Sequence, residues 1–240
     1  MTDRVRYTLT DRIGWIDLDD GKVNVMSPAM QVDIAAAFDE AERDDAVVVV
    51  RGRPGVFSAG FDLHVLAAGD QTSADAVLGG FKLAHQVLGY PRPVVMACTG
   101  HAVAMGLFLL MAGDYRIGIS GTAKLTANEV AIGLTLPHAA TELLRQRMTA
   151  SAFQRAVLLA EPFNPDTAVG AGILDEVTNE ALFENRVAEI ATALATLDLG
   201  AQRATKQRTR RPLLEALASA IALDDAEFEQ RLLSPSATRA

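Results

Sequence analysis

A chain of 240 residues, half of them hydrophobic, can bury one substantial core and does not have the composition of a disordered chain. Its formal charge of −8 argues against non-specific nucleic-acid binding and makes any anionic ligand dependent on local basic residues. A single cysteine, Cys98, excludes an internal disulfide framework, fits a reducing compartment and reads as a small apolar residue at a strand end rather than a nucleophile.

Residues 1–11 alternate charge and polarity and lack the apolar core of a signal peptide. The most apolar stretch, 102–112, is too short to span a bilayer, so a soluble cytoplasmic protein with no membrane partner is expected. Residues 4–9 and 13–18 read as a hairpin turning at 10–12. Asp19-Asp20-Gly21 is a turn. Ser27-Pro28 has the chemistry of a helix start, and Met30, Ile34, Ala37, Phe38 and Ala41 then follow a helical period. The helix ends near Asp44-Asp45, before an all-apolar strand over 47–50. That strand–helix–strand order predicts a parallel sheet covered on both faces.

Arg51-Gly52-Arg53-Pro54-Gly55 is a loop whose arginines are either solvated or available to phosphate. Residues 63–75 lose clear periodicity; a helix is predicted over 74–89, with Val77, Phe81, Ala84, His85 and Leu88 on one face. Further strands are predicted over 94–98, 115–119 and 124–126, and helices over 141–148, 150–160, 165–171, 180–197, 199–209 and 212–233. With no internal repeat and no long linker, the expectation is one domain: a core over 1–195 and a helical C-terminal region over 196–240.

Two Gly-bearing stretches carry the functional signal. Phe57-Ser58-Ala59-Gly60-Phe61-Asp62 leaves the end of the first buried strand, and residues 99–114 leave the second and lead into an apolar helix. Open α/β sheets bind ligands at such strand ends, and a helix start offers free N–H groups to an anion or developing oxyanion. Downstream, Glu129 is the candidate acid/base, because a carboxylate whose pKa is raised by burial can move a proton at carbon. Thr126-Ala127-Asn128-Glu129 also has the spacing of a capping box, in which the glutamate only serves a helix end, although Gly133 and Pro137 make residues 130–137 a poor helix. His64, His85, His101 and His138 form no pair at metal-ligand spacing, so no metal is predicted; neither a Gly-x-Ser-x-Gly elbow nor a P-loop is present.

These residues resemble the crotonase superfamily (enoyl-CoA hydratase/isomerase family). The first family signature matches Ala59-Gly60-Phe61-Asp62-Leu63. The second matches Pro91-Arg92-Pro93-Val94, Gly100-His101-Ala102, Gly106 and Asp114. Glu129-Val130-Ala131-Ile132-Gly133 and Gly172-Ile173-Leu174-Asp175-Glu176-Val177 are similar to the third and fourth, in the family's order, and the match runs from about 24 to 206. The resemblance implies an α/β fold, a crotonase-like spiral of ββα units with a helical C-terminal region, assembled as a homotrimer or homohexamer. It implies an acyl-CoA thioester as substrate, with coenzyme A part of that substrate and no separate cofactor.

Carried over residue by residue, it assigns the two oxyanion-hole N–H groups to Phe61 and Met105, the latter where the family often has glycine. Glu129 becomes the base. Lys22 falls beside the nucleotide, the Ala59 carbonyl near the adenine, and Lys206 toward the phosphates, from its own or a neighbouring subunit; each lysine otherwise reads as surface charge. Asp62, Phe108, Pro137, His101 and His138 complete the expected substrate-facing set.

The departure is Phe108. Family hydratases carry a second glutamate there, and its pair of carboxylates activates water; isomerases that shift a double bond manage with one. Pro137 stands where dienoyl isomerases tend to have a second acid, and His101 and His138 are the only substitutes for the missing carboxylate. The expected activity is one-base enoyl-CoA isomerisation; the alternatives are an atypical enoyl-CoA hydratase or a non-catalytic acyl-CoA-binding protein.

Overall fold

In the computed structural model, which describes residues 4–233, the chain opens with an antiparallel hairpin of β1 (Val5–Thr10) and β2 (Ile13–Leu18). Asp11 and Arg12 both take positive φ, the twist that a two-residue hairpin turn demands. After β3 (Val25–Met26), α1 (Pro28–Arg43) starts where Ser27 Oγ accepts from the Met30 N–H, and it buries Met30, Ile34, Ala37, Phe38 and Ala41, the predicted stripe.

A motif then repeats. A strand of the main sheet is followed by a short strand that leaves it. β4 (Val47–Arg51) leads to β5 (Gly55–Ser58) and β6 (Gly60–Phe61); β7 (Val94–Cys98) leads to β8 (Gly100–Val103); β9 (Tyr115–Ile119) leads to β10 (Leu125–Thr126). Between them lie α2 (Leu63–Ala67), α3 (Gln71–Gly89) and α4 (Met105–Met111). The chain finishes with α5 (His138–Arg145), α6 (Ala150–Leu159), α7 (Pro165–Ala171), β11 (Glu176–Thr178), α8 (Glu180–Ala195) and α9 (Leu199–Leu233). The main sheet has the order β1-β2-β4-β7-β9-β11, parallel from β2 onward; the departing strands make a second sheet, β10-β8-β5, and β3 pairs with β6. This is the expected crotonase-like spiral of ββα units.

The continuous apolar strands are explained by burial on both faces. Val48, Val50, Val94 and Met96 enter the larger core, while Val49, Val95 and Ala97 point the other way, against Phe183, Val187, Ile190 and Ala191 of α8. Cys98 is buried and its thiol is pushed up to about 12 by desolvation, in keeping with an inert packing residue.

Three local expectations are corrected. The stretch 63–75 is largely helical: Asp62 caps α2, and Asp70 with Ser73 forms a capping box that starts α3 three residues before the predicted 74. The helix predicted from 141 begins instead at His138. The C-terminal pair predicted over 199–209 and 212–233 is one helix of 35 residues with Pro212 inside it. The backbone bond lost at the proline is offset by anchors on both sides: Lys206 and Arg210 hold Asp114, and Leu213, Leu217, Ala220 and Ile221 are buried, α9 packing chiefly on α3 and α5.

Candidate active site

The two turns meet where the short strands leave the sheet. Gly60 takes φ +88, and a Cβ there would stand 2.6 Å from the Val103 carbonyl oxygen and 3.4 Å from the Met105 nitrogen, so only glycine lets the first turn lie against the second. Gly106 does the same in return: a Cβ would meet the Ser58 carbonyl oxygen at 2.5 Å. Phe61 and Met105 therefore sit on adjoining backbone. As the first residue of α4, Met105 has an N–H without an intrahelical acceptor. The residue before it, Ala104, adopts φ 48 and ψ −121, a conformation that costs a non-glycine residue about 1–3 kcal/mol. The Ala104 N–H donates to the Thr126 carbonyl at 2.8 Å, which brings β10, and with it the segment leading to Glu129, beside that turn.

Glu129 is 7% exposed and its Oε2 has no hydrogen-bond partner. Desolvation pushes its pKa up to about 7 against the lowering effect of its own backbone N–H. It makes no side-chain cap on the 3-10 turn Val130–Ile132, so the capping-box reading of Thr126 to Glu129 is not realised. Phe108, on α4, is fully buried and stacks on Phe81 of α3 with centroids 5.7 Å apart; Phe61 meets Phe81 edge-on at 6.3 Å. Those rings join Phe61 and the start of α4 in an apolar cluster.

Lys22 and Ala59 are brought together. The Ala59 N–H donates to the Val23 carbonyl at 2.9 Å, Lys22 is exposed, and Arg53 donates to the Lys22 carbonyl at 3.0 Å. Arg51 is tied to Asp17 and Glu184 and lies over the Trp15 ring. Asp62 is occupied as the α2 cap, accepting from the His64 N–H at 2.9 Å. His101 is exposed and its Nδ1 accepts from the Lys124 N–H at 3.0 Å; the His138 ring bonds Glu227 at 2.9 Å, a pairing that raises its pKa. Pro137 is the residue at the head of α5.

Lys206 is the clear correction. It is 7% exposed and its ammonium donates to Asp114 and, at 3.0 Å, to the Arg92 carbonyl, with its pKa lowered by burial. Arg92 and Asp114 lie at the N-terminal end of β7, where Asp114 also accepts from the Val94 N–H at 2.9 Å. The turns at Gly60 and Met105 lie beyond the opposite end of the main strands. Lys206 is therefore a structural cation within this chain, neither a solvated charge nor one free for a phosphate.

Three contributors escaped the sequence reading. Ser58 Oγ donates to the Asn24 carbonyl at 2.7 Å, and the Asn24 side-chain amide donates to the carbonyls of Leu18 and Phe57 at 2.9 and 3.2 Å, clamping the Lys22 loop to the first turn. Asn24 has φ 53, and a lone Asn after a Gly-bearing turn was the one signal for it. Ala104 gave no sequence signal. Among the described residues no group of three or more His, Cys, Asp or Glu side chains is placed to hold a metal ion, and no helix is long and apolar enough to cross a membrane.

The chain belongs to the enoyl-CoA hydratase/isomerase family, whose model matches residues 9–236. It is therefore an acyl-CoA enzyme of that family. It is similar to a Mycobacterium tuberculosis protein described in one structure as an enoyl-CoA isomerase and in another as a probable enoyl-CoA hydratase, with 47% identity and, for the first, a TM-score of 0.90 over 95% of this chain and 100% of that one. It is similar to an enoyl-CoA hydratase of Mycobacterium marinum, with 46% identity and a TM-score of 0.90 over 94% and 99%. It also matches the peroxisomal enoyl-CoA delta isomerase 2 of Arabidopsis thaliana at 30% identity over 68% of each chain.

Proposed function

We propose that this enzyme is a one-base enoyl-CoA isomerase, moving a double bond from the 3 to the 2 position of an acyl-CoA thioester. The observation that carries this reading is a buried carboxylate, Glu129, the one among the described residues with a buried oxygen that has no partner, and with a pKa near neutrality, in a chain with Phe108 where hydratases of the family have their second glutamate. In this mechanism ionised Glu129 takes a proton from C2 of the 3-enoyl thioester. The electron pair moves onto the thioester oxygen, giving a dienolate held by the N–H groups of Phe61 and Met105, each contributing about 3 kcal/mol. Protonated Glu129 then returns the proton to C4, the double bond forms between C2 and C3, and no atom is gained or lost. Phe108 stacked on Phe81 supports the reading by favouring a dry site. Lys22 and the Ala59 carbonyl are assigned to the nucleotide end of coenzyme A, and the enzyme to a homotrimer or homohexamer in the cytoplasm.

Hydration is the second reading, favoured by the similarity to a hydratase. Mass spectrometry of a 3-enoyl-CoA incubated with the protein in heavy water separates the two. Isomerisation gives a shifted double bond, with or without deuterium, and no added water. Addition of water would overturn the assignment, and no conversion at any chain length would leave only acyl-CoA binding.

A further inference from the structure

We propose that Asp224, on α9, is a positioning residue for the reaction: it fastens the N-terminus of α5 and so sets where the Glu129 loop places its carboxylate. The proposal rests on the reading of Glu129 as the base. No side chain among the described residues donates to the Glu129 carboxylate, so its aim is decided by the backbone that carries it. That backbone has two anchors. The first is upstream, where β10 pairs with β8. The second is downstream. Residues 130–135 are exposed and bond within their own turn, through the Ile132 N–H to the Asn128 and Glu129 carbonyls and the Leu134 N–H to the Glu129 carbonyl at 2.9 Å. The turn touches α6, Leu136 packs on the core, and the segment ends where α5 begins at His138.

The downstream anchor lacks a cap of its own. Pro137 occupies the cap position of α5 and has no side-chain acceptor, so the helix would start with free N–H groups. Asp224 supplies the missing acceptor from a distant part of the chain. Its Oδ1 accepts from the His138 N–H at 2.8 Å and its Oδ2 from the Ala139 N–H at 2.9 Å, and the residue is 4% exposed. A carboxylate with both oxygens on a helix start is bound in one orientation and is favoured by the helix dipole. One turn further along α9, Glu227 bonds the His138 ring at 2.9 Å, with Arg231 3.5 Å from Glu227, so the charged groups facing Asp224 from α5 and α9 are His138 and Glu227. α9 itself is immobilised by its buried Leu213, Leu217, Ala220 and Ile221. α5 also packs against α4, whose first residue is Met105. Asp224 thus registers the segment holding the base against the helix holding one of the proposed oxyanion donors.

The test combines kinetics with a direct titration of Glu129 by 13C NMR of its carboxyl carbon, assigned from Glu129→Gln. In the unsubstituted protein the carboxyl should titrate near 7. Asp224→Ala removes both acceptors; Asp224→Asn keeps the shape and one of them, and decides the matter if the alanine variant does not fold. Expected is a fall in kcat of about tenfold or more for Asp224→Ala and less for Asp224→Asn, with KM unchanged. The Glu129 midpoint should move down toward the ordinary glutamate value as water reaches the loosened loop. A lower Tm with unchanged kcat and unchanged Glu129 midpoint would reduce Asp224 to a structural cap and overturn the proposal. A Glu129 midpoint near 7 without turnover of any 3-enoyl-CoA would instead overturn the isomerase reading, while the titration still judges Asp224.

Discussion

Two carboxylates, Asp114 partly and Glu129 almost wholly withdrawn from water, on either side of the main sheet's strands, are treated in opposite ways. Asp114, at the start of β7, accepts from the Val94 N–H, from Lys206 and, at 3.0 Å, from Arg210. Glu129, in the loops beyond the other end, has no cation beside it and an oxygen with no partner. Burying an ionised acid without partners costs several kcal/mol, so a fold that satisfies one carboxylate and leaves the other bare pays in stability at the position proposed for the proton acceptor. Asp114 ties the last helix to the sheet. Glu129 is left with an oxygen that no partner holds.

The contrast is broken most directly at the bare acid. Glu129→Gln should lower turnover about a thousandfold while acyl-CoA binding, measured by calorimetry, stays within a few-fold of the unsubstituted protein. Near-normal turnover would remove Glu129 from the mechanism. At the satisfied acid the opposite pattern is expected. Lys206→Met should cost about 3–5 kcal/mol in urea unfolding, because it leaves part of a buried ion cluster uncompensated, with no change in KM for acyl-CoA. A raised KM with intact stability would return Lys206 to the coenzyme A phosphates.

The third test is pH. Glu129 has a folded pKa raised from 4.5 to about 7, so between those values the unfolded chain releases a proton that the folded chain keeps. Stability from this group is therefore fully present below pH 4.5, declines as pH rises to about 7, and is then constant. At pH 8 Glu129→Gln should be more stable by roughly 3 kcal/mol at most, a difference that vanishes in acid. The rate should run the other way in the unsubstituted enzyme, with kcat/KM rising through about 7 as the base ionises. An equal Tm for both proteins at every pH would show that Glu129 is not desolvated.

Much of the site was legible because its signals are local. Phe57 to Asp62 and Thr99 to Gly106 announce backbone turns by their glycines and the apolar strands before them, and Ser27-Pro28 announces a helix start by cap chemistry within four residues. Phe108 was readable as a departure for the same reason, by its spacing from Met105. Asp70 with Ser73 was equally local and was missed, because the weak periodicity of 63–75 hid a capping box that needs only two residues. Ala104 was not readable at all: alanine carries no mark of a positive φ, and the surrounding β8–β10 pairing imposes it.

By itself the sequence determined the parallel sheet, the two turns at its strand ends and the position of the candidate base, since apolar runs, turn residues and a family's motif spacing are properties of neighbouring residues. Only the tertiary structure decided that Lys206 serves Asp114, 92 residues away, that Asp224 caps a helix 86 residues upstream, and that Pro212 lies within one continuous helix. Those outcomes depend on which surfaces α9 packs against. A charge buried by that packing must take whatever partner the fold brings to it.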